Sequence, residues 1–221
     1  MLDCGFTVPP CYWRQTVDQE DLDALWISHF HGDHFFGVPA LILRFWEMGR
    51  NKPLVILGQT GIEELVNKTM DLAYPDFMNR IGYPLEFVEV EPGQERIDVL
   101  GMNWSVAENG HSRRDLAVRI EDGEKSVFYS GDGLPTAETL LLARGADVII
   151  HEAFQVDQSV AGHGNVEGCI AFARSARAGA LAIVHIQRDV RRERHADIVQ
   201  FLENSQDLRA IMPDPGDAFD L

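Results

Sequence analysis

Long apolar runs are missing from this chain. The longest, FFGVPALILRFW, is interrupted by Gly37, Pro39 and Arg44, well short of the roughly 18 residues a membrane span needs. Cysteine is scarce: Cys4, Cys11 and Cys169 form no CxxC pair and are odd in number, which argues against a disulfide framework and for reduced thiols. Basic residues are outnumbered, 19 Lys and Arg against 35 Asp and Glu, a net charge of −16. A surface of that sign repels polyanions and excludes a protein that wraps nucleic acid with its whole face. It does not exclude a phosphate-bearing substrate, because bound cations dominate the local field of a cleft. The start, MLDCGFTVPP, lacks the basic-then-apolar layout of a secretory signal. A soluble, cytoplasmic protein is expected. Local basic patches occur at Arg113 and Arg114 and in QRDVRRERH, residues 187 to 195, the second of which reads as a solvated helix face.

What remains is enough for a substantial core, since 45% of the 221 residues are hydrophobic. No linker, repeat or low-complexity tract breaks the chain, and one domain, 1–221, is expected. Partly β-branched runs predict strands at 24–27, 54–57, 85–90, 105–107, 116–120, 126–129, 148–150 and 181–186. Helical spacing of apolar residues covers 38–48, 61–73, 136–143, 166–178 and 194–203. Early strands look hairpin-joined, with EDGEK as one turn, and later ones helix-separated. The class is α/β, with sheets covered by helices.

Of the eight histidines, three fall in ISHFHGDHFFG, residues 27 to 37, just after the run ALWI. Core packing gives no reason to cluster rings whose nitrogens need partners when buried. A metal does. His29 and His31 share one side of an extended backbone, and Asp33 with His34 can turn to a second point, so two ions are expected. Imidazole and carboxylate without thiolate suit Zn, Mn or Fe in a hydrolytic site better than a closed structural zinc site. The other polar clusters follow strands: His111 after SVAENG, Asp132 after SVFYS, and His185 inside LAIVHIQ.

The order SHFHGDH (28 to 34), His111 in ENGHS, YSGDG (129 to 133), HEAF (151 to 154), AGHGN (161 to 165), IVHIQR (183 to 188) and a final MPDPGDAFDL in the place of a closing strand resembles the metallo-β-lactamase superfamily, ribonuclease Z-like branch. The resemblance implies a four-layer αβ/βα sandwich, here without the first strands, so that a shortened start or a partner-covered sheet edge is expected. By resemblance, His29, His31 and His111 are ligands of one ion, Asp33, His34 and His185 of the other, and Asp132 bridges them. Zinc is the first choice of metal. Two ions about 3.5 to 4 Å apart can hold a hydroxide that attacks a phosphodiester. Asp33 is assigned a second duty as general base. By the same resemblance His163 faces the leaving oxygen and Glu152 assists proton transfer, although Gly164-Asn165 and Phe154 stand where the branch has Ser-Thr and Thr. His151 reads as a buried, hydrogen-bonded ring and His195 as surface.

The branch members that process tRNA carry a long basic, glycine-rich arm. Between His34 and His111 this chain instead has helical and strand-like segments with Glu86, Glu89, Glu91 and Glu95. No tRNA grip is expected. The expected activity is a phosphodiesterase acting on RNA 3′ ends or on small cyclic or nucleotide phosphodiesters, with a homodimer as the expected assembly. The alternatives are a hydrolase of aryl sulfates, lactones or thioesters, and a catalytically silent metal-binding interaction protein.

Overall fold

The computed structural model describes residues 1–15, 18, 20–94 and 97–218. The chain forms two compact units, Met1–Glu91 and Pro92–Leu221. Glu95 of the acidic set lies outside the described residues.

The first unit contains α1 (Val8–Gln15), β1 (Ala24–Ile27), α2 (Gly32–Phe35), α3 (Val38–Glu47), β2 (Leu54–Gly58), α4 (Ile62–Ala73), a 3₁₀ turn at Phe77–Arg80 and β3 (Leu85–Glu89). Its sheet runs β1-β2-β3 with both pairs parallel. For these first three strands the expectation of hairpins is wrong. Their segments ALWI and LVILG are apolar throughout and wholly buried, the mark of parallel strands covered on both faces rather than of alternating hairpin strands. The α3 helix buries Val38, Leu41, Ile42 and Phe45 at the spacing of one helical face, with Pro39 tolerated in its first turn. Ile62, Val66 and Met70 of α4 add a second apolar stripe to the same core.

The second unit comprises β4 (Ile97–Val99), β5 (Met102–Glu108), β6 (Leu116–Glu121), β7 (Ser126–Tyr129), α5 (Ala137–Ala143), β8 (Val148–Glu152), α6 (Val166–Ala176), β9 (Ala180–Val184), α7 (Arg188–Glu193), α8 (His195–Glu203) and β10 (Arg209–Ile211). Its sheet has the order β10-β9-β8-β7-β6-β5-β4. Hairpins do occur here: β4 to β7 are antiparallel neighbours, and the EDGEK turn closes with Asp122 Oδ1 accepting from the amides of Glu124 and Lys125. From β7 to β10 the pairs are parallel. Phe128, Ile149, Leu181 and Ile183 pack with Val166, Ile170 and Ala173 of α6 and Ile198 and Leu202 of α8.

Two further expectations change. The closing strand is Arg209–Ile211, not MPDPGDAFDL; Pro213 and Pro215 cannot donate to a ladder, and residues 219–221 lie outside the described part. His185 is not inside a strand either. The β9 strand ends at Val184, and His185 takes a left-handed φ of 53° that turns the chain off the sheet.

Candidate metal centre

Strand direction assembles the second unit's donors. Parallel β7, β8 and β9 end on one rim, and β5, two antiparallel steps from β7, ends there too. That rim carries His111 beyond β5, Asp132 beyond β7, Glu152 as the last residue of β8, and His185 directly after β9, with His163 supplied by the loop before α6. One ligand atom each of His111, Asp132 and His163 lies within 4.8 Å of the other two, and the same holds for Glu152, His163 and His185. His185 Nδ1 stands 3.5 Å from Asp132 Oδ1.

One ring of this rim, His111, is aimed by its second nitrogen. His111 Nδ1 donates to the carbonyl of Gly162 at 2.7 Å, which puts the ring's lone pair on Nε2. Asp132 is buried, and its amide donates to Asp115 Oδ1 at 3.2 Å. Asp115, itself fully buried, also accepts from Asn109 Nδ2 at 3.0 Å, and that amide donates to the carbonyl of Ser130 as well. Gly133 has a φ of +115°, and a Cβ there would stand 3.0 Å from His111 Cβ. Only glycine lets the GDG turn lie this close to the histidine.

Glu152 is fully buried, yet its carboxylate is densely served. Oε1 accepts from the amides of Gly164 (2.6 Å) and Gly133 (3.1 Å), and Oε2 from that of Phe154 (3.0 Å). Burial pushes its pKa up to about 8, with the charge of Asp132 adding to the rise and the amide donors opposing it. Oε1 is 3.4 Å from His163 Nδ1, and Phe154 stacks on the His163 ring at 4.6 Å between centroids.

In the first unit, His29 and His31 follow β1 with their rings 4.7 Å apart, and Asp33 and His34 sit on α2. A carboxylate that the sequence reading gave no role organises them. Asp3, buried at a left-handed φ of 55°, accepts from the Ser28 amide (2.7 Å) and hydroxyl (2.8 Å) and from His34 Nδ1 (2.6 Å). Ser28 Oγ is in turn 3.1 Å from His29 Nδ1. His29 and His34 are buried, whereas the Asp33 side chain is 52% exposed.

The structure thus brings His29, His31, Asp33 and His34 together in one unit and His111, Asp132, Glu152, His163 and His185 in the other. Imidazoles and carboxylates with no thiolate, with His29, His34 and His111 each oriented through Nδ1, fit a borderline divalent cation. His151 stays outside both groups as a buried ring whose Nδ1 donates to the Glu152 carbonyl at 2.8 Å, its pKa pushed down to about 4 by burial. His195 is exposed. Sequence reasoning missed Asp3, Ser28, Asn109 and Asp115. The only available signal was their position beside motifs already read, Ser28 within SHFHGDH and Asp115 just beyond ENGHS.

The fold has solved counterparts. The metallo-β-lactamase fold protein YhfI from Bacillus subtilis superposes with a TM-score of 0.77 at 24% identity, over 96% of this chain and 83% of that one. Human tRNase Z, short form, gives 0.74 at 20% identity, over 85% and 82%. The molecule is a metal-dependent hydrolase of the metallo-β-lactamase superfamily, ribonuclease Z-like in its relations. Among curated relatives, Ribonuclease BN of Citrobacter koseri is 27% identical over 241 aligned positions, covering 84% of this chain and 77% of that protein. Residues 1–207 match the family described as Anti-Pycsar protein Apyc1, and the chain belongs to it.

Proposed function

We propose that the protein is a binuclear metal-dependent phosphodiesterase acting on small cyclic or nucleotide phosphodiesters. Its ligands are His29, His31, Asp33 and His34 of the first unit together with His111, Asp132 and His185 of the second, with Asp132 shared and zinc as the ion. On this reading the whole chain works as one domain. What supports it most is the convergence of His111, Asp132, Glu152, His163 and His185 at the ends of β5, β7, β8 and β9. Cations bound by these donors lower the pKa of water toward 7 and draw charge from the phosphoryl oxygens.

The chain's own groups do the rest. Asp33, half exposed, accepts the proton of the attacking water. The water oxygen forms a new P–O bond as the bond to the leaving oxygen breaks. His163, with Nδ1 toward Glu152, presents Nε2 to protonate that leaving oxygen. An acyclic diester gives a phosphomonoester and an alcohol, and a cyclic one opens to a single phosphomonoester that bears the freed hydroxyl.

A small substrate is favoured over structured RNA by the net charge of −16 and by the acidic β3, whose Glu89 accepts from the Gly61 amide. The family name, Anti-Pycsar protein Apyc1, leaves the substrate open. The test is turnover of bis-p-nitrophenyl phosphate, nucleoside cyclic monophosphates and an RNA with a 3′ extension, each with Zn or Mn. Turnover of an aryl sulfate or lactone with none of any phosphodiester would overturn the proposal.

A further inference from the structure

We infer that Phe154 is a positioning residue for His163, holding the imidazole by ring stacking so that its outward nitrogen meets the leaving oxygen. This rests on the acid role proposed above for His163. The backbone of Gly162-His163-Gly164 is held by the His163 amide to the Val160 carbonyl at 3.1 Å and the Gly164 amide to Glu152 Oε1 at 2.6 Å, but neither bond reaches the imidazole. The ring must be fixed by what it touches. On one side Nδ1 meets Glu152 Oε1 at 3.4 Å. The ring's face stacks on Phe154, 4.6 Å away between centroids and inclined by 26°, while His111 meets it edge-on at 5.0 Å and 75°. The Phe154 ring also stands 6.2 Å from that of His185, and the His163 and His185 rings are 6.1 Å apart and nearly parallel at 7°. The three rings form a triangle in which only the phenyl carries no polar atom.

Phe154 is itself anchored well enough to act as a stop. Its amide donates to Glu152 Oε2 at 3.0 Å and its carbonyl accepts from the Gln187 amide at 3.2 Å. One residue thus secures Glu152 through its backbone and His163 through its side chain. Replacing the ring leaves the first contact intact and removes the second. A half-buried aromatic here covers the face of the imidazole that water would otherwise solvate, which favours one orientation over a ring that swings about its Cα–Cβ bond.

The experiment compares Phe154→Leu, Phe154→Tyr, His163→Ala and the Leu/Ala double variant of the full metal-loaded chain on two substrates. A nucleoside 3′,5′-cyclic monophosphate expels a ribose alkoxide and needs a proton from the acid; bis-p-nitrophenyl phosphate expels nitrophenolate and does not. Phe154→Leu is expected to lower kcat on the cyclic nucleotide about tenfold to a hundredfold with KM nearly unchanged, and to alter the nitrophenyl rate by less than about twofold. Phe154→Tyr, which keeps the ring, restores kcat. The double variant is no slower than His163→Ala, because the effect of the phenyl passes through the imidazole. Equal losses on both substrates, or additive losses in the double variant, would overturn the assignment. Independently of turnover, the His163 ring resonances of metal-free protein shift in Phe154→Leu and not in Phe154→Tyr. If the wild type hydrolyses no phosphodiester, the proposed function fails, and these resonances alone decide the positioning role: unchanged shifts in Phe154→Leu refute it.

Discussion

At the scale of single residues, the carboxylates behind the histidines decide how the donors behave. Asp3 accepts from Ser28 and from His34 Nδ1, so it fixes which nitrogen of His34 faces a cation and raises its basicity. Asp3→Asn keeps the shape and removes the charge. Its expected effect is a loss of metal affinity of about 10- to 100-fold with the fold retained, read by competition against a chromophoric chelator. Glu152 gives a prediction with a definite sign. Its folded pKa of about 8 lies above the 4.5 of an ordinary glutamate, so between those values the folded chain holds a proton that the unfolded chain has released. The stability of metal-free protein therefore falls as pH rises through that window, on the order of a few kcal/mol in all. Glu152→Gln should flatten this slope, as measured by urea denaturation from pH 5 to pH 9 against the wild type. A wild type and variant with parallel profiles would show that the three amide donors already hold the carboxylate charged.

At the scale of elements, Arg50 ties the end of α3 to the segments entering β1 and β2. Its buried guanidinium donates to the carbonyls of Glu20, Leu22, Lys52 and Pro53 and lies 4.7 Å from the Phe45 ring centroid. A lysine has neither the fork nor the plane to satisfy four carbonyls. Arg50→Lys should destabilise by about 3 kcal/mol in chemical denaturation. The sequence showed the strands that are apolar runs, from ALWI to ALAIV, and the helices with an apolar stripe, because burial itself writes those periods. It gave no sign of α1, although Pro9 and Pro10 suit a helix start, whereas α7 lies in the run QRDVRRERH that reads as a solvated helix face. The three-residue β10 pairs with β9 through backbone groups that leave little trace in side-chain pattern. The candidate donors stood out because imidazoles cluster only for a reason. Their supports were not, since the Asp3–Ser28 and Asn109–Ser130 contacts join residues 25 and 21 positions apart.

At the scale of the whole molecule, 35 acidic residues against 19 basic ones set the range of substrates. A protein that grips tRNA through 6 to 10 phosphates loses about 10³ to 10⁵ in affinity between about 50 and 200 mM salt, because each contact releases counterions. A chain of this charge has few such contacts to lose, and on the proposed function a cyclic nucleotide brings a single phosphate whose charge bound cations would meet. The dependence of kcat/KM on salt should then be shallow, changing less than about threefold over the same range for a small phosphodiester. Initial rates at several ionic strengths, with metal and pH held constant, measure it directly. The acidic surface also predicts the sign: for an anionic substrate, added salt screens repulsion and raises kcat/KM slightly, whereas a basic RNA-binding face would lower it. A steep fall with salt on an RNA substrate would mean that a local basic patch, with Arg113 and Arg114 the first to mutate, outweighs the net charge and that RNA is the true substrate.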